Sequence, residues 1–381
     1  MSTTPLLSII IPTKNRYNTL FPVVEYLLSI KDIEVIIQDN SDDNIEALQF
    51  VNEKREFANL KYFYQKDALS VIENSDKAVL NSTGEYICFI GDDDIVMPYI
   101  VDIARWMKNN GTEIIKASKP VYYWPEQKSN YLSKDATGEV RIPDFDYAIR
   151  KIDSKMALKY TIEKGGVSIK MLPCLYHGIV ARETLNKIYS KNNTFFPGPS
   201  PDMANAVALT KVSDGYIYVD YPVVVSGKSI MSTGGAGILH KHIAKIEDVK
   251  HLPKETSIEW SIQIPKYWTG PTIWAESVIK VLEKYDDIDA LKNFNTEYLY
   301  AHLHIFNSKH KKQIFGDFIY RKGIRFYGYF LSIFFDRGVT FLKNRMKLNF
   351  KTYSHVDNIS DAVKIINANL DENKFLNKKI V

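Results

Sequence analysis

Over roughly the first 110 residues, short aliphatic runs alternate with stretches whose apolar residues recur at helical spacing. No other feature restricts the fold as much. Leu7–Ile11 is a β-branched run stopped by Pro12, and Glu34–Gln38, Leu60–Tyr64 and Tyr86–Ile90 are three more strand-like runs. Between them, Asn18–Ile30, Ile45–Phe57 and Ser70–Ser82 carry the 3.6-residue pattern, and Ile100–Asn109 follows before the stop at Asn110-Gly111. Strand and helix in alternation predict a mostly parallel sheet with helices on both faces. In such sheets ligands sit beyond the carboxyl ends of the strands. Those ends carry Pro12-Thr13-Lys14-Asn15-Arg16, Asp39-Asn40-Ser41-Asp42-Asp43 and Gly91-Asp92-Asp93-Asp94, so three polar clusters are expected at one edge.

The remainder of the 381 residues is less regular. Val121–Asn130 reads as strand and turn, Tyr147–Glu163 as a helix, Pro201–Leu209 as a short helix and Tyr216–Val225 as a strand. Ser226–Gly237 is a Gly/Ser-rich loop, and beyond about residue 255 the signals are mainly helical. A formal net charge of +4 does not suggest nucleic-acid binding. The 13% of aromatic residues suits a core first and sugar-stacking faces second. Cys88 and Cys174 have neither metal nor disulfide spacing, which favours a reducing compartment. The apolar run at the N-terminus is too short for a signal peptide, and no stretch reaches the ~20 apolar residues of a membrane span. The expected location is cytoplasmic, either free or peripheral on the inner face of the cell membrane.

Three adjacent carboxylates at a strand end repel one another, and a divalent cation relieves that repulsion. Hard oxygen donors suit Mg²⁺ or Mn²⁺. An acidic turn capping the next helix is the plainer alternative. Three segments, in this order, resemble inverting family 2 glycosyltransferases of the GT-A fold. They are Ser8-Ile9-Ile10-Ile11-Pro12-Thr13-Lys14-Asn15-Arg16, Val35-Ile36-Ile37-Gln38-Asp39-Asn40-Ser41-Asp42-Asp43, and Asn81–Ile90 leading into Gly91-Asp92-Asp93-Asp94. The likeness covers residues 5–110 well, 170–240 loosely, and nothing beyond about 245. Many relatives have Asp at the place of Gly91, so here the acidic motif begins one residue late.

The resemblance implies a GT-A type, Rossmann-like, mostly parallel sheet flanked by helices, with a mainly helical C-terminal extension. The catalytic domain would be 1–245, divided into a nucleotide-sugar-binding half, 1–110, and an acceptor half, 111–245, with 246–381 as the helical region. It implies transfer of a sugar, with inversion, from a nucleotide-diphosphate sugar, UDP first, to an acceptor hydroxyl. The acceptor would be a saccharide or lipid-linked saccharide, in bacterial polysaccharide, lipopolysaccharide or capsule synthesis. Pro12 and Thr13 match the segment bordering base and ribose, and Asp39 matches the carboxylate that accepts from a pyrimidine N–H. An Asx-turn role for Asp39 is the alternative. Asp93 is expected as the direct metal ligand, Asp92 near the ribose or donor sugar, and Asp94 in support of the metal or acceptor side, with these roles open to permutation.

In Pro199-Ser200-Pro201-Asp202, the proline places Asp202 at a helix start, where the family carries its general base. The same residue could simply complement the helix dipole, which should keep its pKa low. The resemblance makes a late histidine, His240 rather than His242, a candidate extra metal ligand, after a glycine loop able to close over the donor; a solvated pair of histidines is the plainer alternative. His177 falls where the family builds its acceptor pocket. Near the C-terminus, Phe326–Phe335 is apolar and flanked by Arg321, Lys322, Arg325, Arg337, Lys343, Arg345 and Lys347. That pattern fits a basic amphipathic helix on an anionic surface, or one packed on the domain or in a homo-oligomer. Two rivals stand beside the transferase. A nucleotidyltransferase needs a glycine-rich loop that Pro12–Arg16 lacks. A non-catalytic carbohydrate- or nucleotide-binding scaffold would have no use for Asp202.

Overall fold

A computed structural model describes residues 4–126, 138–232, 243–316, 318–346 and 350–370. The four leading runs form β1 (Leu7–Thr13), β2 (Ile33–Asp39), β3 (Leu60–Tyr64) and β4 (Tyr86–Phe89), mutually parallel in the order β3-β2-β1-β4. Helices α1 (Tyr17–Leu27), α2 (Ile45–Glu53) and α3 (Val71–Leu80) connect them. Side chains alternate across the sheet, as the two-residue period requires. Leu7, Ile9, Ile11, Val35, Ile37 and Cys88 enter one core, and Ile10, Ile36, Ile87 and Phe89 the other. Both faces are therefore buried, which explains why these strands read as unbroken apolar runs. Pro12 does not end β1: the strand continues to Thr13, with Pro12 opposite Gln38 and Thr13 opposite Asp39.

One buried acid pins the other end of these strands. Glu34 accepts from Ser8 Oγ (2.5 Å), Thr83 N (2.7 Å) and Thr83 Oγ1 (2.6 Å), and pairs with Lys61. Burial opposes its ionisation, but the Lys61, Ser8 and Thr83 bonds prevail and hold its pKa below the usual carboxylate range. Gly84 is required beside this knot, since a Cβ there would sit 2.6 Å from Ser8 Oγ.

Beyond β4 come β5 (Ile95–Val96), α4 (Ile100–Asn109), β6 (Ile114–Ser118), β7 (Val121–Tyr123), β8 (Glu139–Pro143), β9 (Ile149–Asp153), α5 (Ser154–Glu163), β10 (Gly178–Ala181), α6 (Arg182–Asn192), α7 (Pro201–Val212), β11 (Gly215–Pro222) and β12 (Val224–Lys228). The main sheet has eight strands, β3-β2-β1-β4-β10-β6-β11-β9, with β10 and β9 antiparallel to their neighbours. Two expectations change here. The first part of Tyr147–Glu163 is an edge strand, β9, paired with β11, and only Ser154 onward is helical, capped by Asp153 accepting from Met156 N. The run Tyr216–Val225 divides between two sheets, because β12 leaves β11 to join β7 and β5.

The C-terminal region packs onto both cores. Val356, Ile359, Val363 and Ile366 join the first, while the helices Gly270–Lys284 and Thr296–Phe306, with Phe326 and Ile333, join the second. Among the described residues no helix is long and apolar enough to cross a membrane.

Candidate active site

β1, β2 and β4 end together, and the acidic loop after β4 folds back under β1. Thr13 Oγ1 donates to Asp92 Oδ2 at 2.6 Å. Asn15 adopts a left-handed backbone (φ 57°), a conformation asparagine tolerates better than most residues. Arg16, the next residue, contacts two of the three carboxylates. Its Nη1 is 2.6 Å from Asp92 Oδ1, and its Nη2 is 3.0 Å from Asp93 Oδ2 and 2.7 Å from Ser229 Oγ. Ser229 also gives Asp93 its backbone N–H (3.0 Å) and hydroxyl (2.7 Å).

β12 brings the second half of the chain against this loop. Gly227 N donates to Asp94 Oδ1 at 2.8 Å. Its approach is so close that a Cβ would lie 1.6 Å from the Asp93 carbonyl oxygen, so only glycine fits. Asp94 Oδ2 accepts from Gly91 N (2.8 Å) and Tyr176 Oη (2.9 Å) and bonds His177 Nε2 (2.6 Å). His177, another left-handed residue (φ 64°), meets Lys119 Nζ through Nδ1.

Burial dominates the electrostatics. It pushes Asp92 up to about 7, against the pull of Arg16, with the Asp93 charge adding to the rise. Asp93 is likewise raised by burial and by Asp94, and Arg16 and Ser229 only partly offset this. Burial would raise Asp94 too, but the His177 bond, the Lys228 charge and the Gly91 N–H outweigh it and keep Asp94 ionised. Burial lowers His177 to about 4, so the ring is neutral at pH 7. Neutral His177 then donates from Nε2 to Asp94 and accepts from Lys119 at Nδ1.

Asp202 lies in the first turn of α7, directly after Pro201. Its Oδ1 accepts from Met203 N (2.7 Å) and Ser200 Oγ, and Trp274 Nε1 reaches both oxygens at 3.1–3.2 Å. Its pKa is raised by burial despite these donors. The expected lowering by the helix terminus is therefore reversed, because desolvation here exceeds the helix-end effect. Tyr176 hydrogen-bonds Asp94, and burial, together with the charges of Asp94, Asp93 and Asp202, raises its pKa.

Asp39 is fully buried and engaged: Tyr17 Oη (2.6 Å) and Tyr62 Oη (2.7 Å) donate to Oδ2, and Ser41 N (2.8 Å) to Oδ1. The Ser41 bond is the Asx turn that the sequence left open. Pro12 lies one residue before Thr13 in β1 and is half-buried. His177 is enclosed, and its described partners are Asp94 and Lys119. His240, His242 and most of the glycine loop lie outside the described residues. Arg16 stands on the acidic pair Asp92 and Asp93. Lys119, Tyr176 and Trp274 carried no sequence signal, because each meets the site only through long-range packing, and Ser229 was visible only as part of the run Ser226–Gly237.

The donor set suits a hard cation in part. Among the described residues Asp92 Oδ1 is buried with no aligned hydrogen-bond donor, its Arg16 contact being charge without proper geometry, and Arg16 Nε is buried without an acceptor. An orphan acceptor beside an orphan donor fits a site built for both a cation and an anion. Among the described residues no three acidic, histidine or cysteine side chains converge as a complete ligand set. One or two carboxylates plus substrate phosphates are, however, a common Mg²⁺ arrangement.

Among solved structures, Staphylococcus aureus TarS 1–349 in complex with UDP-GlcNAc is 14% identical, over 81% of this chain and 88% of that one, with a TM-score of 0.43. The mannosyltransferase PcManGT from Pyrobaculum calidifontis, in complex with GDP-Man and Mn²⁺, is 13% identical over 82% and 85%, with a TM-score of 0.37. No curated protein matches the chain. The family described as glycosyl transferase family 2 matches residues 8–161, which span β1 to α5 and include the acidic loop. Over that segment the chain is similar to glycosyl transferase family 2.

Proposed function

We propose that the protein transfers a sugar, with inversion, from a UDP-sugar to the hydroxyl of a saccharide or lipid-linked saccharide. The setting is bacterial surface-polysaccharide synthesis at the inner face of the cell membrane. The observation that carries the reading is the meeting of Thr13, Arg16, Asp92, Asp93 and Asp94 beyond the carboxyl ends of the parallel strands, with Asp202 close enough for its charge to act on Tyr176. Residues 1–245 form the catalytic domain in this reading, and 246–381 brace it.

Pro12, Thr13 and Asp39 border the nucleoside. Asp39 is held in place by Tyr17 and Tyr62, so it meets the base only where those phenols share it. Asp92 faces the ribose or donor sugar. Asp93 is the direct ligand for Mn²⁺ or Mg²⁺, with His240 as the further candidate. Asp94, with both oxygens in protein hydrogen bonds, would support the metal or the acceptor side. A bound divalent cation would supply Lewis-acid neutralisation of the charge growing on the departing diphosphate. Arg16 is then free to turn its orphan Nε toward phosphate.

Asp202 takes the proton of the acceptor hydroxyl as that oxygen attacks the anomeric carbon and the bond to the diphosphate breaks. Among the described residues its Oδ2 is bonded by Trp274 alone, and is the freer oxygen. Its raised pKa makes it a stronger base than an ordinary carboxylate. His177 holds Asp94 and flanks the acceptor side. The test is calorimetry with UDP, with and without Mn²⁺, beside a transfer assay. Metal-dependent UDP binding that Asp93→Ala abolishes, together with turnover, supports the reading. Binding without turnover on any acceptor panel would favour a scaffold.

A further inference from the structure

The C-terminal helix Ile324–Arg345 shows apolar side chains on two opposite sides. On its inner side Phe326 and Ile333 are buried in the second core, and Phe330 and Tyr329 pack against it. Arg337 closes that side, donating to the Ile305 carbonyl (2.7 Å) and lying over the Phe306 ring. The outer side carries Tyr327, Leu331, Phe334, Phe335, Val339 and Leu342, each between 52% and 67% exposed. Their intervals of four, three, one, four and three residues form one continuous stripe. At 1.5 Å per residue the stripe is about 22 Å long. Apolar patches of this kind mark a docking surface.

The charges decide what docks there. Apart from Arg337 on the inner side, residues 321–347 hold Arg321, Lys322, Arg325, Lys343, Arg345 and Lys347 against a single acid, Asp336. Arg325 and Lys343, both exposed, are 18 residues apart, a whole number of turns, so they border the same flank of the stripe at its two ends. A second copy laid antiparallel on this face would set the Arg321–Arg325 end against Lys343 and Arg345. A parallel copy would set like on like. An anionic surface meets the same charges favourably.

We propose that this outer face lies in the headgroup region of an anionic phospholipid layer, with the helix parallel to the surface. The proposal rests on the membrane location in the reading above, and its test reads binding alone, so it can fail while the transferase reading stands.

The experiment is flotation of the full chain with vesicles of phosphatidylcholine alone, or with about 30% phosphatidylglycerol, at about 0.1 M salt. The expected result is about tenfold or more tighter partitioning onto the anionic vesicles. Phe335→Glu with Leu342→Glu should abolish it. Both side chains are exposed, so an unchanged unfolding temperature should certify the fold. Arg325→Glu with Lys343→Glu should remove the preference for anionic lipid. Equal binding to both vesicle types overturns the proposal. So does parental binding by the Phe335/Leu342 variant, or a dimer that this variant dissociates in the absence of any vesicle binding.

Discussion

Replacing Arg16 by Met should destabilise the protein without metal and make Mn²⁺ more stabilising than it is for the parent. In the structure the Arg16 side chain is 17% exposed and pairs with Asp92 and Asp93, which are 3% and 4% exposed. Removing one partner of a buried ion pair costs about 3–5 kcal/mol. Two facts reduce that figure. Arg16 keeps some contact with water, and Asp92, already near 7, can take up a proton once the guanidinium is gone. About 2–3 kcal/mol is then the expected loss. With an unfolding entropy of roughly 2.1 cal/mol/K per residue, a chain of 381 residues loses about 3 °C in Tm. A cation entering the variant meets two uncompensated carboxylates, whereas in the parent it must displace the guanidinium. At ten times its Kd, Mn²⁺ returns about 1.4 kcal/mol, or about 2 °C. Scanning calorimetry after chelation, with and without Mn²⁺ at low salt, reads both effects. The reasoning fails if the chelated variant melts with the parent, or if Mn²⁺ shifts the parent at least as much as the variant.

Asp202→Asn should keep donor binding and lose transfer by roughly 10²–10⁴-fold, read by calorimetry beside initial rates; a parental rate would remove Asp202 from the base role. Gly227→Ala should lower Tm steeply, because its Cβ must fit 1.6 Å from the Asp93 carbonyl oxygen; a melting curve matching the parent's would show that β12 can retreat. Glu276, 1% exposed, is pushed up by burial to about 7. A carboxyl whose folded pKa is raised supports the fold below its unfolded pKa, near 4.5, and loses that support as pH rises through about 7. Glu276→Gln should therefore melt higher than the parent at pH 8, by an amount on the order of 3 kcal/mol at most, with the gap closing near pH 4; a gap independent of pH would refute this.

Much of the first half was legible because its signals are local. The runs at Leu7, Glu34, Leu60 and Tyr86 became adjacent parallel strands, and the polar clusters after three of them meet at one edge. Pro201 started α7 and set Asp202 in its first turn. The C-terminal apolar run lies inside a longer helix, Ile324–Arg345, whose described residues beyond Phe335 are exposed. The middle was harder. β10 is four residues long and β9 is a mixed-polarity edge strand, and neither has enough pattern to distinguish strand from helix.

By itself, the order of residues determined the α/β class, the edge at which the polar clusters gather, and the acids available there. Those properties follow from periodicity and from where apolar runs stop, and both act over a few residues. Tertiary structure alone decided the partners and charge states of those acids. Arg16 reaches Asp92 and Asp93, β12 places Gly227 and Ser229 against the acidic loop, and Trp274 comes from a distant helix to hold Asp202. A pKa depends on desolvation and on neighbours brought together by folding, so no local pattern could encode that Asp202 would be raised rather than lowered.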